Sequence, residues 1–146
     1  MFRDKWAYVE NVVLYLACEA CLRNGGTCVQ KDDMADGLRK LIEADIVVLS
    51  TPVYYYLVCV QLKAMIDRSL SIRADGGKMR DKEFYFITTA ANDPAAMECT
   101  MNDLQGYVDC IPGSVVKGRV YGQAFAVGEI KGKSAMDEAY ALGRHS

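Results

Sequence analysis

Histidine is nearly missing from this 146-residue chain: the one present, His145, lies next to the C-terminus. Its place argues against a helical two-histidine zinc site and against a Ser-His-Asp or Cys-His catalytic pair. Excess charge is missing too. Lys+Arg total 17 against 19 Asp+Glu, a net charge of -2. No basic tract is long enough to make an electrostatic case for nucleic acid or a membrane surface. No apolar run approaches the roughly 20 residues that span a bilayer. The opening "MFRDKW" lacks the apolar core of a secretory signal. The expectation is a cytoplasmic protein with neither a nucleic-acid nor a membrane partner.

What is present describes an ordinary globular domain. Hydrophobic residues make up 51% and charged residues 25%. The length suits one domain over 1–146 with one core. Six cysteines (Cys18, Cys21, Cys28, Cys59, Cys99 and Cys110) with no export signal suggest reduced thiols.

Hydrophobic patterning alternates strands with helices. Residues 11–16 are a short apolar run read as a strand, and 18–33 a loop. Asp32 or Asp33 is placed to cap a helix carrying Met34, Leu38, Leu41 and Ile42. Residues 45–50 are a nearly continuous apolar strand, as expected when both faces are covered. A helix follows from about Leu57 to Leu70, then a charged loop over 71–82 and a strand over 83–88. Asn92-Asp93-Pro94 starts the next helix, which Pro112-Gly113 breaks. A strand from Val115 to Gln123 and a helix over 134–143 close the chain. The alternation implies parallel βαβ units in a three-layer α/β sandwich.

The segment with most chemistry is the loop expected after the 45–50 strand: Thr51, Pro52, Val53, Tyr54, Tyr55 and Tyr56. In open parallel sheets ligands bind at strand carboxyl ends. An aromatic-rich loop there suits a planar cofactor, or equally a surface covered by a second subunit. Cys18, Cys21 and Cys28 are three thiols where a cluster or structural zinc needs four ligands. Reduced thiols are the simplest account, with a redox-active Cys18/Cys21 pair or a metal site as lesser ones. Asp32-Asp33 reads as a helix cap. Lys63, Asp67 and Arg68 read as a solvated helix face, with Lys63 and Asp67 four apart and able to pair. Gly25-Gly26 reads as a turn.

Three blocks, "CEACLRNGGTCVQKDDM" (18–34), "ADIVVLSTPVYYYLVCVQLKAMIDR" (44–68) and "DKEFYFITTAA" (81–91), together resemble the flavodoxin-like NAD(P)H-dependent FMN reductases. The multimeric branch and its iron–sulfur flavoprotein relatives are most similar. The resemblance implies a flavodoxin-like parallel sheet binding FMN at strand ends. Thr51 to Tyr56 would line the isoalloxazine ring, and Thr89, Ala90 and Ala91 would flank its other edge. NAD(P)H would be the electron donor, and a quinone, another small molecule or a protein the acceptor. The flavin would carry the chemistry, so no side chain need be catalytic and no metal is required. A homodimer or homotetramer is implied.

Two departures from the family accompany the resemblance. The family's opening strand and phosphate-binding loop have no counterpart here, so the sheet is expected to be N-terminally truncated. Tyr15 stands where the cluster-binding branch has a further cysteine, which counts against a [4Fe–4S] cluster. The alternative is therefore a non-catalytic subunit or remnant that no longer binds FMN efficiently.

Overall fold

The computed structural model describes residues 11–74, 77–91 and 93–145. The elements run α1 (Ala20–Arg23), α2 (Met34–Glu43), β1 (Ile46–Tyr54), β2 (Leu57–Val58), α3 (Val60–Arg68), α4 (Leu70–Ala74), β3 (Glu83–Ala90), α5 (Pro94–Asp109), β4 (Val115–Gln123) and α6 (Ser134–His145). They form a four-stranded sheet in the order β2-β1-β3-β4. β1, β3 and β4 are parallel, and β2 adds an antiparallel edge. The architecture is flavodoxin-like α/β with helices on both faces.

Strand register explains the core. Val47, Leu49 and Thr51 lie beside Phe84, Phe86 and Thr88, so their side chains share one face. All six are buried. Over that face pack Met34 and Leu38 of α2, Ile72 of α4, and Met101, Leu104 and Val108 of α5. At ~25 cal/mol per Å² this shared burial is the main stabilising term. The opposite face is covered unevenly. α6 packs on β4, where Gly118 lets Leu142 approach: a Cβ there would sit 2.7 Å from Leu142 Cδ1. On β1 the same face is uncovered among the described residues, with Val48 55% exposed and Ser50 and Pro52 also exposed.

β1 is longer than its apolar run suggests, because Thr51–Tyr54 continue the strand to form the hairpin with β2. Pro52 is tolerated because β1 is nearly an edge: over 46–52 it pairs with β3 alone among the described residues. The expected helix over 57–70 is accordingly divided into β2, α3 and α4.

The expected strand over 11–16 does not form. Its backbone is held by side chains instead. Asn11 N–H donates to Asp33 Oδ2 and Val13 N–H to Asp32 Oδ2. Arg68 Nη1 donates to the Val13 carbonyl, and Gln30 Nε2 to that of Leu14. A segment satisfied this way has no need of a ladder partner. The helix start at 93–94 is as expected: Asp93 Oδ1 accepts from Ala96 N–H at 3.2 Å, with Pro94 in the first turn; Asn92 lies outside the described residues. No helix among the described residues is long and apolar enough to cross a membrane.

Candidate functional site

The carboxyl ends of β1 and β3 lie side by side. Thr51 pairs with Thr88 and Pro52 with Thr89. Ala90 pairs with Gln123 of β4, and its carbonyl accepts from Ala124 N–H at 2.8 Å. The residues expected at the two edges of a planar ligand, 51–56 and 89–91, are thus brought to one end of the sheet.

Their individual roles differ from a simple loop. Thr51 is 1% exposed and faces the core rather than solvent. Its Oγ1 accepts from Cys59 N–H at 3.1 Å and donates to the Pro52 carbonyl at 2.8 Å. It therefore ties the strand end to the start of α3. Val53 is half-buried, pairing with Val58, and Tyr54 pairs with Leu57. Between those pairs Tyr55 and Tyr56 make a two-residue turn with φ of 52° and 66°. Such a turn needs left-handed backbone at both positions, which matches the twist of a hairpin and favours Asn-Gly. Two tyrosines there are strained by ~1–2 kcal/mol each.

Strain that persists must be held by its surroundings. Here Thr100 holds it: this α5 residue is fully buried, and its Oγ1 donates to the Tyr56 carbonyl at 2.9 Å. The turn then displays its rings outward, Tyr54, Tyr55 and Tyr56 being 62%, 96% and 55% exposed. Pro52, Thr89 and Ala91 are exposed beside them, and Ala90 is half-buried. Thr100 was not singled out in the sequence, although it falls within the buried spacing Met97, Met101, Leu104 that marks α5's inner face. A polar residue inside such a stripe is the signal that identifies it.

After β4 the chain adds a third wall at this end. Glu129 folds the segment on itself, accepting from the N–H groups of Phe125 (2.7 Å) and Ala126 (2.9 Å). Lys133 Nζ bonds both Glu129 Oε1 and the Gln123 carbonyl. The Lys133 contact, then the two backbone N–H groups, hold the Glu129 carboxyl down at about 2. Phe125 and Val127 project into solvent, 88% and 108% exposed.

The cysteine block forms a separate constellation. Cys18, Cys21 and Cys28 line one cavity of about 20 Å³ with Tyr15, Gln30 and Arg68. Arg68 is not on a solvated face as its spacing suggests: its side chain is 1% exposed and ion-paired to Asp32, itself 5% exposed. Nη2 donates to Asp32 Oδ1 at 2.8 Å and to Cys28 Sγ at 3.5 Å. Nε has no partner. Asp32 is thus more than the expected cap, although its Oδ1 also accepts from Met34 N–H at 3.3 Å. Asp33 occupies the N-cap position without a side-chain cap bond. The Arg68 hydrogen bond, reinforced by the N–H groups of Val13 and Met34, pulls the Asp32 carboxyl down to about 2. Lys63 and Asp67 pair at 2.5 Å as their spacing implies.

Comparison with known proteins points one way. The family model for NADPH-dependent FMN reductase matches residues 7–126. An iron-sulfur flavoprotein of Archaeoglobus fulgidus is 34% identical over 118 residues, covering 79% of this chain and 58% of that protein. One from Methanosarcina thermophila is 30% identical over 109 residues, covering 75% and 56%. The chain spans less than two thirds of the length of these curated relatives. Among solved structures, the Trp repressor binding protein from Bacillus subtilis matches with a TM-score of 0.66 at 22% identity, covering 79% of this chain and 71% of that one. That last likeness concerns the fold alone.

Proposed function

The chain belongs to the NADPH-dependent FMN reductase family, and from that premise we propose that it is an FMN-dependent oxidoreductase whose flavin ring sits at the carboxyl ends of β1 and β3. The observation that carries this reading is the strained Tyr55-Tyr56 turn, held by Thr100 and aiming its rings outward.

The residues fit a flavin ring. Three exposed aromatic side chains and the neutral surface of Pro52, Thr89 and Ala90 suit a planar, mostly apolar heterocycle. Gly122 leaves room beside Thr89, where a Cβ would come within 3.0 Å of its Cγ2. Thr51 to Tyr56 and Thr89 to Ala91 contain no cationic side chain. These residues would therefore grip the ring rather than the phosphate.

When bound, FMN supplies hydride and electron transfer between NAD(P)H and an acceptor. The chain's own part is positioning. Tyr54–Tyr56 cover one side of the site, Thr89–Ala91 support the other, and Thr51 fixes the strand end through Cys59 N–H. This reading assigns no side chain an acid or base role. A quinone, another small molecule or a protein is the acceptor class this reading assigns. This reading places the chain in the cytoplasm, where its six cysteines stay as thiols. Exposed apolar groups at Tyr55, Phe125 and Val127 support assembly into a homodimer or homotetramer that shields the ring.

A second reading is favoured by β1 itself. Among the described residues, its exposed face at Val48 and its unpaired edge over 46–52 suit a non-catalytic domain that binds flavin poorly alone. Anaerobic titration with FMN, followed by addition of NADH or NADPH, separates the two. Quenching of flavin fluorescence, then bleaching of its visible absorbance, supports the oxidoreductase. Unquenched fluorescence at high micromolar FMN supports the non-catalytic domain.

A further inference from the structure

The curated relatives are named iron-sulfur flavoproteins, yet the cysteines here do not fit a four-thiolate cluster. Three cysteines line the cavity, and Tyr15 lines it with them. No group of three or more His, Cys, Asp or Glu among the described residues is arranged to hold a metal ion. The arginine indicates different chemistry.

We propose that Cys28 is a peroxide-reactive thiol that forms a reversible disulfide with Cys18 or Cys21 across this cavity. Four observations meet at one point. The cavity of about 20 Å³ has room for one small molecule, since a water needs ~10–15 Å³ by the same measure. Cys28 is half-buried, so it is screened from bulk solvent yet reachable. Arg68 Nη2 donates to its sulfur, and the buried Arg68 Nε of the same guanidinium has no hydrogen-bond partner among the described residues. Two further thiols line that wall, Cys18 exposed and Cys21 buried.

The arrangement matches the needs of each step. In the first, the Cys28 sulfur attacks hydrogen peroxide. An S–O bond forms, the O–O bond breaks, and the departing hydroxide takes the thiol proton as water. In this proposal Arg68 Nη2, which donates to the sulfur, also stabilises the oxygen that leaves with the electron pair. In the second, the sulfur of Cys18 or Cys21 attacks the sulfenic acid. An S–S bond forms, the S–O bond breaks, and a second water leaves. In sum, two thiols are oxidised and one peroxide is reduced to two waters. Thiol exchange with a small dithiol restores the starting state. Asp32 fixes the guanidinium through two hydrogen bonds, making it a positioning residue. None of this requires flavin, so the proposal stands apart from the function proposed above.

The test uses the full chain, fully reduced and then treated with about one equivalent of hydrogen peroxide. Intact mass and peptide mapping are read over time. The expected product has lost two hydrogens, with Cys28 joined to Cys18 or Cys21. Cys28→Ser should abolish that product and leave Cys18 and Cys21 reduced. Arg68→Lys, with folding confirmed by circular dichroism, should slow Cys28 oxidation roughly tenfold, because a lysine cannot reproduce the planar fork. Cys28 should also react faster than the exposed Cys99 and Cys110 in the folded protein and at their rate in urea.

Four results would overturn the proposal. Oxidation could begin at Cys59, Cys99 or Cys110. Cys28 could proceed to sulfinic acid without a disulfide. Cys28→Ser could join Cys18 to Cys21 as fast as wild type forms its own bridge. Finally, anaerobic treatment with ferrous iron and sulfide could give a visible cluster chromophore that Cys28→Ser removes, which would assign the three thiols to metal.

Discussion

Thr100 Oγ1 donates a 2.9 Å hydrogen bond to the carbonyl of Tyr56, so the middle of α5 fastens a turn 44 residues earlier in the chain. Thr100 has no exposed surface. Its hydroxyl has one evident purpose, which is to hold the β1–β2 hairpin in a conformation its own residues disfavour. Thr100→Val keeps the shape and removes the donor. A loss of about 1 kcal/mol in urea denaturation is expected. Amide exchange at Leu57 and Val58 should quicken more than elsewhere in the sheet. Uniform protection after the change would mean that the bond does not hold the turn.

The strain itself can be tested. Replacing Tyr55-Tyr56 by Asn-Gly gives the turn the residues its φ values favour, 52° and 66° in the native chain. Stability should rise by about 1 kcal/mol, since each non-glycine residue in this backbone region costs ~1–2 kcal/mol and some ring packing is lost. FMN affinity should fall by about tenfold, the size of one stacking contact. A fall in stability would show that the tyrosine rings are there for packing.

The buried pair of Asp32 and Arg68 carries a pH signature. The Arg68 hydrogen bond holds the Asp32 carboxyl at about 2 in the folded chain, against an ordinary value of 3.8. A lowered carboxyl stabilises the fold above its ordinary value, and that stability is lost as pH falls through the folded value. Roughly 2 kcal/mol should therefore disappear between about pH 4 and pH 2. Chemical denaturation across that window checks it, and Asp32→Asn should flatten the dependence. Asp32→Ala leaves a buried unpaired guanidinium and should cost about 3–5 kcal/mol at neutral pH.

Gly118 tests how α6 seats on the sheet. A Cβ there would meet Leu142 Cδ1 at 2.7 Å and Tyr85 Cδ1 at 3.0 Å. Gly118→Ala should cost about 1–3 kcal/mol by overpacking. Adding Leu142→Ala should recover part of that loss, giving a positive coupling in a double-mutant cycle.

The βαβ frame was legible because period and composition agree. Apolar β-formers over 45–50 and 83–88, and helical spacing through Met97, Met101 and Leu104, leave little choice of element. The parallel order followed; the meeting of 51–56 with 89–91 at one sheet end was implied by the family resemblance instead. What escaped the sequence depends on tertiary partners. Residues 11–16 look like a strand, but Asp32, Asp33, Gln30 and Arg68 take up their backbone groups. Three tyrosines give no turn signal, because the turn rests on Thr100 rather than on local preference. Arg68 sits at surface-like spacing beside Lys63 and Asp67, and only the fold brings Asp32 within reach of it. The cysteine spacing brought out the thiols but not the guanidinium beside them.

The most direct test of the flavin site is a titration of the isotopically labelled chain with FMN, followed by backbone amide NMR. The expected result is saturable shifts concentrated at Val53 to Tyr56 and Thr89 to Ala91, with Asn-Gly at 55–56 weakening them. Riboflavin should shift the same amides with similar affinity, because these residues hold the ring and present no cation to a phosphate. Shifts centred elsewhere, or none at saturating flavin, would contradict a ring site at the ends of β1 and β3.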